Sequence, residues 1–208
     1  MKRIFALLLA LLLLAALTGC WPLEEQYTEK PVIYLYPEAE TDVTVRLDYA
    51  GDLTCTYPAY DGAWRVAAAP DGTLTDADKN SYGYLFYEAL VKKKAFQTEE
   101  GFLVPADKRD EVFRRVLADY GFNEQETADF IEYWSDYLTS GEDYVMYPIL
   151  TDGVDAAMPV SFSVNPDSIT RIWFGFAHHD ESEIKKPEIT PIERKGFTVV
   201  EWGGAVLD

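Results

Sequence analysis

Cysteine is nearly missing from this 208-residue chain, with Cys20 and Cys55 the only two. That excludes a disulfide framework and any zinc site built on several thiolates. Histidine is equally scarce: His178 and His179 stand side by side. Neighbours on a strand point to opposite faces, so the pair makes a poor chelate, and no H-E-x-x-H helix exists. Positive charge is short, with 18 Lys and Arg against 36 Asp and Glu. A net charge of −18 excludes a nucleic-acid partner, which needs clustered cations. No G-x-S-x-G nucleophile turn occurs, and Gly203-Gly204 has no helix behind it to cradle a phosphate. Nothing here calls for a cofactor. The longest apolar run, residues 4–17, has 14 residues and falls short of the ~20 that span a bilayer.

That run does follow Lys2 and Arg3, the pattern of a cleaved export signal. Its ending, Leu17-Thr18-Gly19-Cys20, resembles the lipobox of bacterial lipoproteins. The resemblance implies cleavage before Cys20, a thioether diacylglycerol on Cys20 and a further acyl chain such as palmitate. The protein is then exported and anchored to the outer face of the cell membrane, or to an outer membrane where one exists. Residues 1–19 are the signal peptide. Removing them takes away two cations and no acids, so 16 cations face 36 acids, a charge of −20. An anionic bilayer repels such a body, which leaves the lipid on Cys20 as its expected membrane contact. A second acyl chain makes anchoring stable where one, at about 0.8 kcal/mol per methylene, is marginal. Residues 20–29 are acidic and aperiodic and read as a tether.

From residue 30 to 90 the hydrophobic period is two, with turn signals at Ala50-Gly51-Asp52, Asp61-Gly62 and Pro70-Asp71-Gly72. The region reads as short antiparallel strands. Residues 91–142 change period. Asp107 is the expected cap of a helix whose stripe is Val112, Phe113, Val116, Leu117 and Tyr120, ended by Gly121. Asn123 with Glu126 predicts a capping box for a second helix along Phe130, Ile131, Trp134 and Leu138. Residues 143–208 return to strands, the last ended by Gly203-Gly204. The expected class is α+β: a β-rich N-terminal layer, a two-helix insertion and C-terminal strands, with residues 30–204 forming one core.

Three stretches stand out in wording: Lys30-Pro31-Val32-Ile33-Tyr34-Leu35-Tyr36-Pro37, Tyr84-Leu85-Phe86-Tyr87-Glu88-Ala89 and Gly196-Phe197-Thr198-Val199-Val200-Glu201-Trp202-Gly203-Gly204. Together they resemble a largely uncharacterised family of exported proteins with a "PVIYLYP" start and a "GFTVVEWGG" finish. The Pro70-Asp71-Gly72 turn and residues 129–133 fit the same pattern. The resemblance implies one continuous unit and carries no activity.

Candidate chemistry is confined to a few residues. Glu88 and Glu201 each close an apolar strand, where a carboxylate is either paired or raised in pKa. About 5–9 Å apart, they would serve as the acid and base of a glycan hydrolase. Trp202 and His178 are further ligand or acid–base candidates. Asp76, Asp78 and Asn80 have the 1-3-5 oxygen spacing of a calcium loop, but Ser81 replaces the glycine at position 6 and Tyr87 stands at position 12. Cys55 alternates with Leu53 and Tyr57 and reads as a buried thiol. The basic run Lys92-Lys93-Lys94 reads as a solvated loop offset by Glu99-Glu100. With 14 Tyr, 11 Phe and 5 Trp, aromatics can fill a core or line a sugar-binding surface. The leading expectation is a non-enzymatic lipoprotein that binds a protein or glycan. The alternatives are a hydrolase using Glu88 and Glu201 and a calcium-dependent binding module.

Overall fold

A computed structural model describes residues 25–207. The expected export signal, with Cys20 and residues 20–24 of the expected tether, lies outside the described residues. The larger of two sheets runs β3 (Leu53–Tyr57), β7 (Leu85–Lys92), β1 (Glu25–Tyr36), β12 (Thr198–Val206), β11 (Ser168–His178), β9 (Tyr144–Ile149) and β8 (Phe102–Val104). The smaller runs β10 (Val160–Phe162), β2 (Thr41–Leu47), β4 (Trp64–Ala68), β5 (Leu74–Thr75) and β6 (Ser81–Tyr82). Helices α1 (Arg109–Tyr120), α2 (Glu124–Tyr137) and α3 (Thr151–Ala157) complete an α+β fold.

The period of two explains why the larger sheet lies in the middle. Ile33 and Leu35 of β1 join Val43, Val45, Trp64 and Val66 in a core against the smaller sheet. Their neighbours Val32 and Tyr34 join Phe113, Leu117, Phe130 and Trp134 in a second core against the helices. Both faces of the central strands are buried, so β12 reads as a nearly continuous apolar run. Strands from both ends of the chain meet here, because β1 lies between β7 and β12.

The helices follow their local signals. Gly121 adopts φ 87°; its amide donates to Ala118 O while Phe122 N donates to Leu117 O, closing a Schellman cap. Asn123 and Glu126 form the expected reciprocal capping box. Asp107, in contrast, caps nothing: it lies in a 3-10 turn, Ala106–Lys108, ahead of α1.

Other expectations are corrected. Residues 25–29 are not tether but the start of β1, paired from Glu25 with Lys92 to Thr28 with Ala89. A bulge after Thr28 breaks the alternation that would have revealed them. Gly203-Gly204 does not end β12, which continues to Val206. A Cβ on Gly203 would lie 2.8 Å from Pro31 Cα, and one on Gly204 2.3 Å from Phe174 O. These glycines admit neighbouring backbone. Cys55 is exposed, because β3 is an edge strand. At the end of the 30–90 region the chain breaks at residues 83–84, placing β6 in one sheet and β7 in the other. Finally, β11 and β12 pair in parallel. The connection between them crosses the helical layer, where Ile192 N donates to Tyr120 O and Arg194 bonds the buried Glu126 carboxylate at 2.5 Å.

Candidate functional site

Glu201 occupies the middle of the central strand β12, in register with Ile33 on one side and Arg171 on the other. Its side chain points toward the smaller sheet and is completely buried. Every polar atom there has a partner. Oε1 accepts from the Tyr87 hydroxyl and from Trp173 Nε1, both at 2.8 Å, and Oε2 accepts from Arg171 Nε at 2.7 Å. Arg171 Nη1 donates to Met158 O at 2.7 Å and to Asp155 at 2.5 Å. Burial by itself would push the Arg171 guanidinium down, but Glu201 reverses this and holds it above its ordinary value. Burial, reinforced by Glu201, pushes the Tyr87 phenol well up, so it stays a neutral donor. The arrangement is a satisfied core ion pair: its carboxylate is fully engaged, and none of the cavities described, of about 310 to 490 Å³, is lined by Glu201, Arg171 or Tyr87.

Glu88 belongs to a different place. On β7, Leu85, Tyr87, Ala89 and Val91 face the smaller sheet, so Phe86 and Glu88 between them face the helical side. The structure therefore does not bring Glu88 and Glu201 together. They project from opposite faces of one sheet, and no substrate bond can lie between them as an acid–base pair requires.

Around Glu88 lies the least regular backbone of β1. Lys30 has φ 45°, a left-handed conformation that costs an L-residue about 1–2 kcal/mol. It does so directly before Pro31, a setting that normally holds a residue extended. The register of β1 shifts here against both neighbours. Lys30 Nζ is thereby held over two rings, 5.0 Å from the centroid of Tyr133 and 5.8 Å from that of Tyr84. Burial raises the Glu88 carboxyl above its ordinary range, opposed by the Lys30 backbone N–H and ammonium. Tyr137 stacks on Tyr133 at 5.2 Å and 17° and donates to Glu29 at 2.7 Å. Desolvation, with Tyr137, Glu29 and Glu88 nearby, raises the Tyr133 phenol. Tyr27 shares this face, since it pairs with Leu90. Tyr27 is 54% exposed and Tyr137 46%, so two aromatic rings reach solvent beside a held cation and a half-buried carboxyl.

The remaining candidates are dispersed. Trp202 is buried edge-on against Phe130 at 5.1 Å and has no face free for a ligand. His178 ends β11, resting on the Tyr144 ring at 4.6 Å. It lies seven residues from Arg171, about 23 Å along the strand. Asp76 Oδ1 accepts from the Asp78 and Asn80 amides, and Oδ2 from Asn80 Nδ2 and Tyr82 OH. These bonds hold its carboxyl below the usual range, the Asn80 and Tyr82 side chains first. They engage both Asp76 oxygens in closing its own turn, with Asp78 and Asn80 serving as N–H donors. Among the described residues no group of three or more His, Cys, Asp and Glu is placed to hold a metal.

No family model, curated protein or solved structure matches the chain. Its own distinctive stretches nonetheless converge in space: they are the three adjacent strands β7, β1 and β12. Lys30 comes from the first stretch, Tyr84 and Glu88 from the second, the Gly203 contact with Pro31 from the third and Tyr133 from α2. Sequence reading missed Lys30 and Tyr133. The available signal was the polar start of an otherwise apolar strand.

Proposed function

We propose that this chain is an extracytoplasmic lipoprotein, anchored through Cys20, that binds a ligand without chemical turnover. The binding surface is the patch around Lys30, Glu88, Tyr27, Tyr133 and Tyr137. The observation that carries this reading is Lys30, kept in a strained left-handed conformation that places its ammonium between Tyr84 and Tyr133. Backbone strain persists only where surrounding structure imposes it, and it concentrates at functional positions. The exposed rings of Tyr27 and Tyr137 favour an envelope or extracellular glycan, because a flat ring stacks on a sugar face while Lys30 and Glu88 bond its hydroxyls. The closed Glu201–Arg171 network supports binding over hydrolysis, since Glu201 is fully engaged in it and Glu88, on the other face, is left without that acid–base partner.

Lys30→Gly tests this reading. The substitution relieves the left-handed strain, so the expected result is an unchanged or slightly raised Tm with affinity for isolated envelope glycans lowered about tenfold or more. Tyr137→Ala should weaken binding without unfolding the body. Wild-type protein that binds no envelope glycan, or variants that bind as well as wild type, would sink the assignment. For the anchor, Cys20→Ala should release the protein from membranes; a variant that stays bound removes the lipoprotein reading.

A further inference from the structure

The start of β1 decides which end of the body meets the membrane. Strand structure begins at Glu25, so only residues 21–24 separate it from Cys20. Five peptide steps reach at most about 18 Å, and a paired residue on the neighbouring strand lies about 5 Å further across the ladder. The residue paired with Glu25 is Lys92, the first of the run Lys92-Lys93-Lys94. The basic run is therefore as close to the lipid attachment point as the fold allows. It is also fixed there. Lys93–Ala95 is a single 3-10 turn closed by Phe96 N on Lys93 O, and Phe96 packs against Trp173. Lys92 and Lys94 are both exposed.

The run is also less neutralised than its sequence neighbours suggest. Glu100 is taken by Lys185, and the Glu99 carboxylate also acts on Lys185. Among the described residues, Glu25 stands opposite Lys92 and, with Asp52, acts on Tyr49. In a mature chain of charge −20, the exposed Lys92 and Lys94 give this corner cations fit to approach a negative surface.

We infer that the turn carrying Lys92 and Lys94 rests on the bilayer that holds Cys20, its ammonium groups binding phosphates of anionic phospholipids. This rests on the lipoprotein reading above. Lipid is then joined by a protein contact that orients the body. The smaller sheet stands to one side of the central sheet, and the far end of β1, at Tyr36, is directed away from the membrane. Lys30 lies five residues up β1, so its side of the binding patch is held about 17 Å above the contact, with Tyr27 nearer the membrane. Each lysine near an anionic surface contributes about fivefold in affinity, and salt screens the effect.

The test uses lipidated full-length protein in vesicles of phosphatidylcholine alone or of phosphatidylcholine with phosphatidylglycerol. Lysines are acetylated with a water-soluble reagent and quantified by mass spectrometry. Lys92 and Lys94 should be protected about tenfold in the anionic vesicles at low salt, and high salt should remove the protection. Lys195, exposed just before β12 at the far end of the sheet, should label equally in both vesicles. Lys92→Gln/Lys94→Gln should hasten transfer between anionic vesicles and leave transfer between neutral ones unchanged. Acylated protein whose Lys92 and Lys94 label alike in both vesicles overturns this inference and leaves the anchor standing. Protein without acyl mass on Cys20 overturns both.

Discussion

The two faces of the larger sheet carry the same kinds of residue, a carboxylate, a cation and tyrosines, with opposite outcomes. Toward the smaller sheet, Glu201, Arg171 and Tyr87 are completely buried and mutually bonded. Toward the helices, Glu88, Lys30, Tyr84 and Tyr133 are partly open, and cation meets aromatic face where the other side has guanidinium meeting carboxylate. A closed network maintains the fold and offers nothing to a ligand. An open one keeps strain and perturbed ionisation where a ligand can use them.

Breaking the closed side should have the largest effect. Glu201→Ala or Arg171→Met leaves a buried charge without its partner and should cost about 3–5 kcal/mol. The double variant Arg171→Met/Glu201→Leu should recover much of that in denaturant titrations, and purely additive losses would show that the pair is not coupled. Gly204→Ala asks whether the helical side is packed as tightly. The added methyl meets Phe174 O and Trp134 Cζ2 at 2.3 and 2.7 Å, so a loss of about 1–3 kcal/mol is expected, read as a lowered Tm. Asp155 also bonds Arg171, yet its side chain is 47% exposed. Asp155→Asn should therefore cost less than about 1 kcal/mol, and a loss equal to that of Glu201 would break the comparison.

The smallest effect is that of Glu88, and its sign is definite. Burial raises its folded pKa above the ordinary 4.5, so the folded state binds the proton more tightly than the unfolded state. Stability contributed by this group is complete below pH 4.5 and falls as pH rises to the folded value. Glu88→Gln should flatten that part of the stability–pH curve by less than about 1 kcal/mol, since the group is partly exposed. A variant whose curve overlays the wild type would remove Glu88 from the open cluster.

Legibility varied with how local the deciding interaction was. The Schellman cap at Gly121 and the capping box at Asn123 and Glu126 were readable because their partners lie within a few residues. The start of β1 was not, because its pairing is with Lys92 and Ala89 and a bulge breaks its alternation. Gly203-Gly204 looked like a stop for want of any sign that Pro31 and Phe174 approach there. The short helix α3 buries only Val154 and contains Gly153, too little pattern to see.

By itself the sequence determined the α+β class, the apolar stripes of the two long helices and the scarcity of cations and thiols, because periodicity and composition are properties of the chain alone. It also contains the apolar run of residues 4–17 and Cys20. Only the tertiary structure decided that Glu88 and Glu201, alike in their surroundings along the chain, face opposite ways. Only there do Lys30 and Tyr133 meet, and only there does Lys92 stand beside Glu25. Which face a strand buries depends on its neighbours in the sheet, and those neighbours are remote in sequence: Arg171 lies 30 residues from Glu201 and Cys55 lies 33 from Glu88.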